Sequence, residues 1–130
     1  MNHRVLLTTT SLLSILLFTF HLADDIVRGF EKGGLSNLTA VPIAVLWLYA
    51  TLVLAGRRSG YIMMLVFSLL SLGVPVIHMK GKGVGVASGI ATSSGGFFFI
   101  WTLLAIGVTA LFSVVLSARA LWSLPWRRSR

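Results

Sequence analysis

His21 and His78 are the side chains of this sequence best placed to hold a metal ion or pass a proton, and each closes an apolar run. Asp24 and Asp25 follow His21 within one helical turn. A neutral imidazole offers one nitrogen lone pair and a carboxylate offers two oxygens, which are common donors for zinc, copper and iron. Two imidazoles on different helices are also the axial ligands of a b-type haem. With no metal, histidine beside carboxylate is a pairing that takes up and releases protons near neutrality. Counted from Arg4 and Arg58 at the opposite ends of their runs, the two histidines reach similar depths, within roughly one helical turn. His21, Asp24, Asp25 and His78 are therefore the candidate ligands of a single patch.

The first run gathers its polarity on one stripe. At about 100° per residue, Thr10, Ser14, His21, Asp24, Asp25 and Arg28 all fall within about 100° of azimuth, provided the helix continues to Arg28. Ionisable groups facing lipid are costly, so this stripe is expected to face other helices or a wet cavity. Thr10 and Ser14 would then form part of an interhelical seam. Asp24 and Arg28, four residues apart, have the spacing of an ion pair at the water boundary.

These residues need a bundle to position them, and the composition specifies which kind. The chain has 130 residues, of which 56% are hydrophobic and 11% charged, with a mean hydropathy of +0.92. Ordinary globular domains carry about 25% charge, so a soluble surface of this size is excluded, as is intrinsic disorder. The lack of cysteine removes disulfide scaffolds, thiol redox chemistry, cysteine-bound zinc and c-type haem. Four apolar stretches, at about 5–23, 38–56, 60–77 and 97–118, contain no Lys, Arg, Asp or Glu. Each is near the roughly 20 residues that a helix needs to cross a bilayer, where backbone groups must be satisfied within the segment. The expected fold is an all-α, four-helix transmembrane bundle with antiparallel up-down topology, forming one domain with a basic interfacial tail at 119–130. A secretory signal is the weaker reading of the first run, because His21-Leu22-Ala23 puts a bulky residue where cleavage prefers a small one.

Basic residues give the orientation. Arg4, Arg57, Arg58, Arg119, Arg127, Arg128 and Arg130 lie on one side with no acid, whereas Arg28, Lys32, Lys80 and Lys82 share the other with Asp24, Asp25 and Glu31. Positive residues concentrate on the cytoplasmic side, so both termini are expected there, in a bacterial inner membrane. The turn at Arg57-Arg58-Ser59 makes the second and third helices antiparallel neighbours. Pro75 predicts either a kink or an early end to the third helix.

In the last span Gly107, Ala110, Ser113 and Ser117 form a face of small residues suited to close helix packing. Leu104, Leu111, Phe112 and Val115 lie opposite, toward lipid or a partner. Phe97, Phe98, Phe99 and Trp101 read as the outer aromatic belt, and Trp122 and Trp126 beside Arg127 and Arg128 read as the inner one. That basic end suits anionic lipid at the cytoplasmic face. The high net charge of +8 is explained by topology, so nucleic acid is not an expected partner. The loop after His78 contains Lys80-Gly81-Lys82-Gly83 but lacks the GxxxxGK[ST] spacing of a phosphate loop.

Three functions fit these residues. The leading expectation is an accessory or structural subunit that packs against other membrane subunits or against itself. The alternative is a metal- or haem-binding protein that uses the histidine and aspartate patch for redox chemistry or sensing. The third is proton or small-ion transport, for which the inner half of the spans offers hydroxyls but no ionisable relay. With no nucleophile–base set, no HExxH and no lysine within a span, the residues do not specify an enzyme.

Overall fold

The computed structural model describes residues 2–80 and 90–124. Its four helices are α1 (His3–Val27), α2 (Ala40–Leu52), α3 (Arg58–Lys80) and α4 (Gly96–Ser123), with short 3-10 turns at Leu35–Thr39 and Ile90–Thr92. Among the described residues there is no strand. With Leu35–Thr39 counted into the second, all four are long and apolar enough to cross a membrane, which fits an integral membrane protein.

The helices differ from the predicted spans at their ends. α1 begins at His3, where the Asn2 side chain caps the Arg4 amide at 3.1 Å, and runs on through Asp24 and Asp25. The second helix stops at Leu52, short of position 56, and the turn to α3 occupies 53–57 instead of 57–59. α3 passes through Pro75 to Lys80, so the proline neither ends the helix nor keeps His78 out of it. α4 extends to Ser123, placing Arg119 and Trp122 in the helix. Trp126, Arg127 and Arg128 lie outside the described residues, as does most of the loop after Lys80.

α4 packs most extensively, against α3 and α1, while α2 rests on α1 and α3. At one end Arg4 reaches from α1 to the Ala55 carbonyl in the turn between α2 and α3, at 3.3 Å. At the other, the last turns of α1 and α3 meet the first turns of α4. The core between these ends includes Leu7, Trp47, Ala50, Tyr61, Met64, Leu116 and Ala120. It also contains many hydroxyls. Thr10, Ser11, Ser14, Thr51, Ser68, Ser71, Ser113 and Ser117 are buried, whereas Leu104, Leu111, Phe112 and Val115 face outward. Polar atoms inside and hydrocarbon outside is the arrangement expected of helices in lipid.

One hydroxyl cluster is closed on itself. The Trp47 indole donates to Ser11 Oγ at 2.9 Å, and the Thr51 hydroxyl donates to the Trp47 carbonyl at 2.8 Å. Because the Thr51 proton is committed, the 2.8 Å contact between Ser11 Oγ and Thr51 Oγ1 must be donated by Ser11. The ring ties α1 to α2 with a donor for each acceptor. Ser113 of α4 similarly donates to Thr10 of α1 at 3.0 Å, while Thr10 donates to the Leu7 carbonyl at 3.1 Å. Ser14 returns its proton to the Thr10 carbonyl. Gly107 faces Pro75, where an added Cβ would sit 3.5 Å from the ring.

Candidate metal centre

The end of α1 is a Schellman motif. Gly29 adopts φ 77°, a left-handed value suited to glycine, and its amide donates to the Ile26 carbonyl at 3.0 Å. The Phe30 amide donates to the Asp25 carbonyl at 2.9 Å. This stop leaves Asp24 and Asp25 in the last turn, where the helix dipole disfavours negative charge. Asp24 is compensated locally, since Arg28 Nε donates to its Oδ2 at 2.8 Å. Asp25 points the other way, into the bundle, and is only 6% exposed.

There it meets both histidines. His21 Nε2 lies 3.2 Å from His78 Nε2, and Asp25 Oδ2 lies 3.6 Å from the first nitrogen and 3.4 Å from the second. The ring centroids are 4.6 Å apart in an edge arrangement. His21 is buried at 2% exposure, and His78 is part-buried. Asp25 Oδ1 is buried with no hydrogen-bond partner.

The partners of the other ring nitrogens set the tautomers. His78 Nδ1 is 2.9 Å from the Val74 carbonyl, which can only accept, so Nδ1 carries a proton. His21 Nδ1 is 3.3 Å from Thr102 Oγ1, whose own proton goes to the Phe99 carbonyl at 2.9 Å. With its proton on that carbonyl, Thr102 accepts from His21, whose Nδ1 then carries the proton; turned toward the ring, the same hydroxyl would donate to Nδ1 and leave the His21 proton on Nε2. With both Nδ1 atoms protonated, the Nε2 atoms of the neutral rings are bare lone pairs, directed together with a carboxylate oxygen. In that arrangement three acceptors converge and none supplies a donor to the others, whereas a proton on His21 Nε2 makes the 3.2 Å contact a hydrogen bond.

Phe99 covers this triad, with its ring centroid 5.0 Å from that of His21 and 5.8 Å from that of His78. It is fully buried, so it leaves the expected aromatic belt, in which Phe97, Phe98 and Trp101 remain exposed. Periodicity carried this distinction, since Phe99 shares a helical face with Thr102, Leu103, Ile106 and Ala110. Above Phe99 the Arg28 guanidinium sits 5.7 Å from the ring centroid. It also donates to Ser93 Oγ, the Ser94 carbonyl and the Gly95 carbonyl at 3.2, 3.1 and 2.7 Å, tying α1 to the chain entering α4.

The structure thus brings together His21, Asp25 and His78 from the sequence-predicted patch and leaves Asp24 with Arg28. Thr10, Ser14, Ala110, Ser113 and Ser117 are buried, Gly107 is part-buried, and Trp101 and Trp122 are exposed. Sequence reasoning missed Thr102, Ser11, Trp47 and Thr51, whose hydroxyls and indole carry no spacing signal beyond their helix faces. A b-type haem does not fit between these imidazoles. Iron separates two axial nitrogens by about 4 Å across a macrocycle, and here a carboxylate closes the same 3.2 Å gap. The chain matches no family model, no curated protein and no solved structure.

Proposed function

We propose that this protein is a small integral membrane protein that binds a transition-metal ion, zinc foremost, through His21 Nε2, His78 Nε2 and an Asp25 carboxylate oxygen. The observation that carries this reading is the triangle of acceptors, with edges of 3.2, 3.4 and 3.6 Å. Around a tetrahedral ion with bonds of about 2.0–2.1 Å, neighbouring ligands stand about 3.3–3.4 Å apart. A dication also supplies the charge that a buried carboxylate at a helix C-terminus otherwise lacks. Metal-bound histidines typically donate their second ring N–H to a carbonyl or similar acceptor, which is the part played by Val74 and Thr102.

Among the described residues, three side chains of ligating type converge here. The chain has three histidines, three acids and no cysteine. Of the remainder, His3 lies at the far end of α1, Asp24 pairs with Arg28 and Glu31 accepts from Asn37. Structural zinc sites are closed by four protein ligands, whereas three leave a position for water or an incoming ligand. The reading is therefore an exchangeable site, suited to sensing or handing on the ion, at the outer boundary of an up-down bundle with both termini cytoplasmic. The accessory-subunit expectation rests on exposed apolar faces that lipid covers equally well, and it takes second place.

A proton is the competing occupant, because one proton on either Nε2 would turn the 3.2 Å contact into a hydrogen bond. Titration of the purified protein with zinc in detergent separates the two. One ion per chain is expected, with binding lost in His21→Ala and in His78→Ala and weakened by acid, which protonates the imidazoles. Absence of saturable zinc binding at neutral pH would leave the proton reading in its place.

A further inference from the structure

We propose that Thr102 is the positioning residue of this centre, holding His21 as the Nδ1–H tautomer so that Nε2 stays free to bind the ion. The inference rests on the zinc reading and adds a residue from α4, a helix that contributes no ligand.

Thr102 is almost fully buried, and its hydroxyl has one proton to give. The Phe99 carbonyl one turn earlier is the nearer partner, at 2.9 Å against 3.3 Å for His21 Nδ1, and with the proton there the oxygen accepts from the ring. Direction thus runs from the α4 backbone through the hydroxyl and onto the ring. His78 needs no such residue, because the Val74 carbonyl on its own helix does the same work at 2.9 Å. Only the His21 tautomer is therefore open to a side-chain substitution.

Removing the acceptor leaves a buried Nδ1–H without a partner, which is costly. The ring escapes by moving its proton to Nε2, where His78 Nε2 at 3.2 Å and Asp25 Oδ2 at 3.6 Å both accept. That tautomer satisfies the triad internally and removes one of the three metal ligands. Thr102 accordingly favours the metal-binding arrangement over a self-satisfied one.

The experiment combines zinc affinity, by chelator competition, with the ring nitrogen signals of 15N-histidine-labelled protein without zinc. Thr102→Val is expected to weaken zinc about 10–100-fold, the range for outer-shell partners, and to switch His21 but not His78 to Nε2–H. Thr102→Ser, which keeps the hydroxyl, is expected to restore both readouts. A merely structural role would lower the melting temperature of Thr102→Val while leaving the tautomer and the zinc affinity alone. Zinc affinity in Thr102→Val within about twofold of the wild type overturns the proposal, given that outer-shell range. If the wild type binds no zinc, the metal reading fails by itself. The His21 tautomer in that same protein still decides on Thr102, and Nε2–H there overturns it.

Discussion

Two buried polar clusters share α1 and follow opposite rules. Around Ser11 the Trp47 indole, two hydroxyls and a carbonyl pass protons in a closed ring. Ten residues later, about 15 Å along the axis, His21, His78 and Asp25 bring three acceptors together. The Ser11 ring is fully buried, and the triad is buried at His21 and Asp25 and part-buried at His78. The first ring joins two helices and asks for nothing more, as a buried network should when it serves only packing. The second is closed on itself only in the Nε2–H tautomer of His21, and in the Nδ1–H tautomer it is left to a cation. Buried polar groups that break a local rule are where function is expected.

The sharpest test of this contrast is a pair of substitutions with crossed outcomes. His78→Ala should abolish zinc binding, a loss of more than about 100-fold and beyond what outer-shell changes cause. Its zinc-free melting temperature should change little, because it removes one of three opposed acceptors. Ser11→Ala should do the reverse, leaving zinc affinity unchanged and costing about 1–2 kcal/mol of stability by orphaning the Trp47 N–H. Thermal unfolding in detergent, with and without zinc, reads both. Equal destabilisation by the two variants would show that the triad is a packing network like the ring.

Much of this was legible before the fold was known, and the failures have physical causes. Hydropathy located all four helices because lipid imposes one length and one secondary structure. Depth counting from Arg4 and Arg58 predicted that His21 and His78 would reach one level, and their rings meet there. Azimuth placed Asp24 and Asp25 on the same broad stripe, but residues about 100° apart cannot both face a neighbour's imidazole. The Schellman stop and Arg28 take Asp24 outward and leave Asp25 inward. Thr102 was not legible, since its role depends on where its single proton goes, and that follows from the neighbouring carbonyl. Phe99 was misassigned because an aromatic triplet at a span end resembles an interface belt when its helical phase is ignored.

A smaller and more telling effect is expected at Asp25. Asp25→Asn keeps the shape of the side chain, removes a charge from the helix C-terminus and replaces one oxygen by an amide that donates. That donor can face either bare Nε2, 3.4 and 3.6 Å from the present Oδ2. The zinc-free protein should therefore gain about 1 kcal/mol, the net worth of one buried hydrogen bond, while zinc no longer raises its melting temperature. A substitution that stabilises the protein while removing its ligand is the mark of a site held against stability. Loss of zinc-free stability instead would place the Asp25 carboxylate among the groups the fold itself requires.

The smallest effect should come from Arg28→Gln, which asks to which of the two clusters the neighbouring pair belongs. Arg28 holds Asp24 and three groups of the 93–95 segment, and it lies over Phe99, the residue that covers both imidazoles. In this pairing each guanidinium nitrogen donates to at least one acceptor, so it resembles the Ser11 ring despite standing beside the triad. Glutamine can keep some of these hydrogen bonds but not the charge, and the net worth of the one it loses to Asp24 is about 1 kcal/mol. The expected outcome is a stability loss of that size with zinc affinity altered less than about threefold, since outer-shell partners of a metal cost about 10-fold or more. A larger loss of zinc would mean that Asp24, once released from Arg28, swings inward and competes with Asp25. The boundary of the metal centre would then pass outside Arg28, and the two adjacent aspartates would be alternatives held apart by one guanidinium.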